Sequence, residues 1–139
     1  MSPSFRISFD HELQYKEVPG LPSIYPALVV GLLGPSGQED LLAIVDSGAR
    51  YCFFDGRRAK SIGLDLTSGK QIKLTGLSGE LRAWLHHVTL EIEGSKFDCE
   101  VAFSDGAIAR ELLGRSGLFS QIRLALREGQ SCFYFHPAP

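Results

Sequence analysis

The sequence predicts an all-β domain, a mainly antiparallel sandwich or barrel carrying one or two short helices. Three observations lead there. Apolar or alternating runs recur at about 8–12-residue spacing, clusters of Gly, Pro, Asp and Ser separate them, and only one stretch carries helix start and stop signals.

Taken in order, residues 25–33 read as a strand, and Gly34-Pro35-Ser36-Gly37-Gln38 as a turn built from breaker residues. Leu41-Leu42-Ala43-Ile44-Val45 is continuously apolar, as a strand buried on both faces requires, and it runs straight into Asp46-Ser47-Gly48. Residues 51–54 resume as a strand. Asp55 is placed to cap a helix over residues 56–62, and Gly63 supplies its left-handed stop. Residues 71–75 alternate polar with apolar, Gly76-Leu77-Ser78-Gly79 makes a hairpin tip, and residues 81–85 return. Residues 88–92 alternate again, and the turn Glu93-Gly94-Ser95 leads into a strand over residues 97–103. A last pair, residues 122–126 and 131–135, joins across Arg127-Glu128-Gly129-Gln130. There is no internal repeat and no low-complexity stretch.

The composition narrows the function classes. A chain of 139 residues suits one domain and needs no metal or disulfide staple to hold a core. A formal net charge of −2 gives no electrostatic reason to expect nucleic acid or an anionic membrane as partner. The densest basic cluster, Arg57-Arg58-Ala59-Lys60, reads as a solvated helix face. Cys52, Cys99 and Cys132 are odd in number and far apart, which argues against a disulfide framework or a zinc site and suits a reducing compartment. The first residues lack the pattern of a signal peptide, and no apolar run approaches the ~20 residues of a membrane helix. The expectation is a soluble cytoplasmic protein without metal or cofactor.

Several chemical signals fall away on spacing. Gly114-Arg115-Ser116-Gly117 has the wrong order for a nucleophile elbow. His86 and His87 are adjacent in a strand-like run and so face opposite ways, which does not suit a shared metal. His11 and His136 lie near the termini in no spacing motif, and no phosphate loop is present. Asp46-Ser47-Gly48-Ala49 differs because of its position. A carboxylate at the end of a buried strand is costly unless it is hydrogen-bonded or put to use. Gly48 permits close backbone approach, and Ser47 sets a hydroxyl beside the carboxylate. On these residues alone, a strand-ending turn in which Asp46 caps nearby N–H groups explains the pattern more readily than catalysis does.

The wider chain adds two elements: Gly76-Leu77-Ser78-Gly79 and, later, Leu112-Leu113-Gly114-Arg115. With Ile44-Val45-Asp46-Ser47-Gly48-Ala49 before them, the three resemble the retropepsin-like aspartic protease family in order and spacing, over about residues 25–135. The Leu112-Leu113-Gly114-Arg115-Ser116-Gly117-Leu118-Phe119 run has the cast of bacterial members. The resemblance implies a closed retropepsin-like barrel with a flap hairpin and a short helix after the late Gly-Arg. It implies two domain-level segments, an N-terminal arm over residues 1–22, loose or touching a dimer partner, and the protease domain over residues 23–139. It implies Asp46 as catalytic carboxylate, with Ser47, Gly48 and Ala49 supporting the active-site loop. Gly76, Leu77, Ser78 and Gly79 would form the substrate-binding flap, and Leu113, Gly114 and Arg115 the structural support. Aspartic protease chemistry needs two adjacent carboxylates sharing a proton. The chain holds a single Asp-Ser-Gly, while Asp55-Gly56 and Asp105-Gly106 read as a cap and a turn. A second copy of the chain would supply the missing carboxylate across a two-fold axis. The expected partners are therefore a second copy and a peptide or protein substrate.

One position departs from the family pattern. Viral members carry an acid after Ala49 that pairs with the late arginine, whereas this chain has Arg50 facing Arg115 in the same plan. That departure motivates an alternative, a non-catalytic dimer that binds extended peptides. An unrelated small β-barrel binding module, with Asp46 a mere cap, is the third possibility.

Overall fold

Alternation of apolar residues along the chain turns into two main sheets, whose strand order fixes where Asp46 emerges. The structure is a computed structural model, and it describes residues 3–76 and 79–138. In chain order the strands are β1 (His11–Gln14), β2 (Lys16–Glu17), β3 (Ile24–Tyr25), β4 (Ala27–Leu33), β5 (Gln38–Val45) and β6 (Phe53–Phe54). After the helix α1 (Arg57–Ser61) come β7 (Lys70–Gly76), β8 (Gly79–Ile92), β9 (Ser95–Ser104), β10 (Leu112–Leu113), β11 (Arg123–Arg127) and β12 (Cys132–His136).

The larger sheet runs β4-β5-β10-β6-β9-β8-β7, and a further β4–β8 pairing closes β4, β5, β10, β6, β9 and β8 into a ring. Closure leaves β7 attached to β8 as the projecting arm of a hairpin. A second sheet, β1-β12-β11, covers one side, and β2 pairs with β3. The core follows the strand alternation. Leu28, Val30 and Leu32 of β4 point inward with Leu41 and Ala43 of β5, and meet Phe54, Phe103, Leu113, Leu118, Phe133 and Phe135. Val29 lies on the opposite face of β4 and is exposed.

Four features differ from the reading of the sequence. Pro26 interrupts the 25–33 run, because proline has no N–H to give a ladder; Ile24–Tyr25 and Ala27–Leu33 are separate strands. The two runs at 81–85 and 88–92 are one strand, β8. Its partner on one edge is β9 from Ala83 to Ile92, while the other edge pairs first with β7 and then, at Thr89 to Glu91, with β4. The helix is shorter than 56–62 and its N-cap is Gly56, not Asp55, although the Asp55 carboxylate one residue earlier accepts the Arg57 N–H at 2.9 Å; Gly63 adopts φ +88° after the last turn. After the late Gly-Arg comes only a three-residue 3-10 turn, Phe119–Gln121, in place of an α-helix.

Part of the 1–22 segment is built into this chain's own fold. His11 pairs with Phe135 and Gln14 with Cys132, the Tyr15 N–H donates to Ser131 O at 2.8 Å, and Tyr15 and Val18 are buried. Tyr15 joins the main core and packs against Phe133.

Candidate active site

The site begins where β5 changes partners. Antiparallel pairing with β4 runs from Leu33↔Gln38 to Ala27↔Ile44. At its far end β5 also gains a parallel neighbour, β10, in the register Leu112↔Ile44 and Leu113↔Val45. The Ile44 N–H donates to Glu111 O at 2.9 Å, the Val45 N–H to Pro26 O at 2.8 Å and the Asp46 N–H to Leu113 O at 3.0 Å. Asp46 is thus the residue at which a buried strand held on both edges stops.

Residues 46–49 then turn. The Ala49 N–H donates to Asp46 O at 3.1 Å, and the Gly48 N–H donates to Asp46 Oδ1 at 2.9 Å. This is the Asx geometry that an aspartate at the first turn position favours. It uses one carboxylate oxygen, and among the described residues no donor reaches Oδ2. A Cβ on residue 48 would sit 3.2 Å from Oδ1, so glycine lets the carboxylate lie against the backbone. Asp46 and Ala49 are half-buried, and Ser47 and Gly48 are exposed.

The late Gly-Arg segment supports this turn from behind. The Arg115 N–H donates to Ala49 O at 3.0 Å and the Ser116 N–H to Arg50 O at 2.6 Å, and Tyr51 bridges Ser116 in parallel. Between them Gly114 is hemmed in: a Cβ there would fall 2.3 Å from Tyr51 O and 2.9 Å from Ala49 O. Backbone atoms cannot yield to such a clash, so only glycine fits. Leu113, buried completely, anchors the segment in the core.

The hairpin of β7 and β8 closes at Gly76↔Gly79. Leu77 and Ser78, expected at its tip, lie outside the described residues. Below the tip, Ile72 and Leu74 of β7 pack with Tyr51 and Phe53 against Ala83, Leu85 and Ala102. The hairpin therefore stands on the strand that leaves the Asp46 turn, over an apolar floor. A cleft of ≈ 670 Å³ is lined by residues 17–24 and includes none of the 46–49 turn.

Arg58 overturns the reading of its cluster as a solvated face. Its guanidinium reaches Glu111 through Nε at 2.5 Å and Nη2 at 2.6 Å, and Nη1 bonds Glu39. The Asp55 N–H donates to the same Glu111 carboxylate at 3.2 Å. A bidentate arginine–carboxylate pair of this kind fixes geometry as well as charge. It ties α1 to the residue whose carbonyl receives Ile44, and so to the register that delivers Asp46. Charge spacing along the helix could not reveal it, because both partners are distant in sequence. Arg57 and Lys60 are exposed as expected, with Arg57 reaching back 2.7 Å to Asp55. That hydrogen bond holds the Asp55 carboxyl below its ordinary value against the opposing effect of burial.

Other titratable groups have structural settings. His86 is buried with Nε2 2.7 Å from Leu66 O, and His87 is exposed on the opposite face. All three cysteines are free and buried; burial pushes the Cys52 thiol up to about 11 and the Cys99 thiol to about 12.

The profile of the aspartyl protease family matches residues 32–116, a span that begins in β4 and ends just past the Gly-Arg support. The chain belongs to the aspartyl protease family. Among solved structures, this family member is similar to the EIAV protease complexed with the inhibitor HBY-793, at 18% sequence identity and a TM-score of 0.52. The likeness covers 71% of this chain and 88% of that one, and it establishes a retropepsin-like fold. A comparison with curated proteins gives no match.

Proposed function

We propose that the chain is an aspartic endopeptidase that acts as a homodimer, each copy bringing one Asp46 carboxylate to a shared site. The observation that carries this reading is the half-buried Asp46 at the end of a strand locked on both edges, in a chain with one Asp-Ser-Gly. Two carboxylates about 3 Å apart cannot both ionise. The charged one takes a proton from the attacking water while the protonated one donates to the scissile carbonyl. The tetrahedral intermediate then collapses, and the amine leaves with a proton returned from the pair. In this reading the Ser47 hydroxyls hydrogen-bond across the axis, Gly48 offers a carbonyl to substrate, and the hairpin tips of residues 76–79 cover an extended peptide. The buried free thiols support a reducing compartment, and the cytoplasm is the location assigned here.

Assay of wild type and Asp46→Asn on a peptide library tests the proposal. Turnover is expected to fall by a factor of about 10³ or more, since the substitution replaces both carboxylates of the pair at once. Cleavage persisting in Asp46→Asn would exclude Asp46 as the group that activates water.

Arg50 favours a second reading, a dimer that binds extended peptides without cleaving them. A cation beside the pair stabilises the state with both carboxylates ionised, and that state lacks an acid. Peptide affinity without turnover at any pH between 3 and 8 would select it.

A further inference from the structure

The two arginines beside the Asp46 turn are arranged in a way that a purely structural role does not explain. Tyr51 bridges Ser116 in parallel, and the Arg115 and Ser116 N–H groups bond Ala49 and Arg50 carbonyls. One step back from that bridge, the backbone of Arg50 runs beside that of Arg115. Like charges carried on neighbouring stretches of backbone repel, as they do across a strand pair. Arg57 is neutralised by Asp55, Arg58 by Glu111 and Glu39, and Arg82 by Asp105, whereas the other arginines form no ion pair among the described residues. Arg50 and Arg115 are both exposed, and among the described residues no carboxylate forms an ion pair with either. Arg50 rests instead against the Tyr51 ring, 5.2 Å from guanidinium carbon to ring centroid, and Tyr51 itself belongs to the apolar floor beneath the hairpin. Stacking of this kind limits the freedom of a long side chain while leaving its N–H groups available.

We infer that Arg50 and Arg115 form a subsite for an acidic side chain of the substrate, so that the enzyme selects peptides with Asp or Glu close to the scissile bond. The inference rests on the proposed endopeptidase reading and names its substrate class. A carboxylate received between two guanidinium forks accepts charge-assisted bonds from both and cancels the repulsion that the register imposes. Because the dimer repeats the pair, each end of a bound peptide meets one such subsite.

Matched peptides that differ only by Glu, Gln or Lys at each position near the cleaved bond provide the test. Wild type should show kcat/KM about tenfold higher for Glu than for Gln at one position or at two related by the dimer axis. That preference should shrink as salt rises, since rim charges are screened. In Arg50→Gln/Arg115→Gln it should fall to within about twofold, and in Arg50→Glu/Arg115→Glu it should reverse toward Lys. A wild type indifferent to Glu, or variants that keep the wild-type preference, would overturn the subsite while leaving the protease reading intact. If wild type cleaves nothing, the activity reading fails separately. Fluorescence anisotropy with reduced-amide peptides bearing Glu or Gln then decides the subsite. Tighter binding of Glu by wild type alone supports it, and equal or no binding rejects it.

Discussion

The segment spanning residues 111–115 carries a charge at each end, and the fold treats the two in opposite ways. At one end Glu111 takes two hydrogen bonds from Arg58 and one from the Asp55 N–H, with its side chain only 12% exposed. At the other end Arg115 is exposed, runs alongside Arg50 and makes no ion pair among the described residues. Only the backbone is held there, through Ala49 and Arg50. Charge at the Glu111 end builds the scaffold that aims Asp46; charge at the Arg115 end is left for something outside the chain. The difference separates residues whose loss disturbs folding from residues whose loss disturbs recognition.

The sharpest way to break the comparison is at its midpoint. Gly114→Ala places a Cβ 2.3 Å from a backbone carbonyl, so the two ends can no longer keep their spacing. A loss of roughly 3 kcal/mol in urea denaturation is expected, with cleavage reduced well beyond the unfolded fraction. Glu111→Gln keeps the shape but removes the charge opposite Arg58, leaving a half-buried guanidinium with Glu39 alone. Because Arg58 retains 24% side-chain exposure, the cost is put at about 2 kcal/mol, below that of a fully buried pair. A smaller effect concerns pH. Asp55 ionises more readily folded than unfolded, so its contribution is complete above its unfolded value, near the ordinary 3.8, and vanishes as pH falls through the lower folded value. Denaturation below pH 4 should therefore be less steep in Asp55→Asn than in wild type. Smallest of all, Arg50→Gln and Arg115→Gln should shift stability by no more than about 0.5 kcal/mol, toward greater stability because a repulsion is lost. A large destabilisation in that pair would assign the Arg115 end to scaffolding and erase the contrast.

The backbone of this site was legible in the sequence because its parts are local. The apolar run reads as a strand, Asp-Ser-Gly as its end, and the glycines at 76 and 79 as the flanks of a hairpin. Leu113, Gly114 and Arg115 were singled out only through the family resemblance, and the reason for Gly114, a carbonyl 2.3 Å from its absent Cβ, is visible only in three dimensions. Arg58 was misread because helix spacing reports which side chains share a face but not what that face meets. Its partners Glu39 and Glu111 arrive from 19 and 53 residues away. The continuity of β8 was hidden for a related reason. His86 and His87 break the apolar alternation, but β9 pairs with both and carries the strand through. The pairing of β1 with β12, and the packing of Tyr15 on Phe133 beside it, join residues more than a hundred positions apart that no local pattern links.

The central claim is that Asp46 works only as a pair contributed by two copies. Subunit mixing tests it most directly: wild type and Asp46→Asn are combined in varying proportion at constant total concentration, allowed to exchange, and assayed on one cleavable peptide. If both carboxylates are required, mixed dimers are inactive and activity falls as the square of the wild-type fraction. Activity falling in direct proportion to that fraction would mean that each copy works alone, contradicting the account.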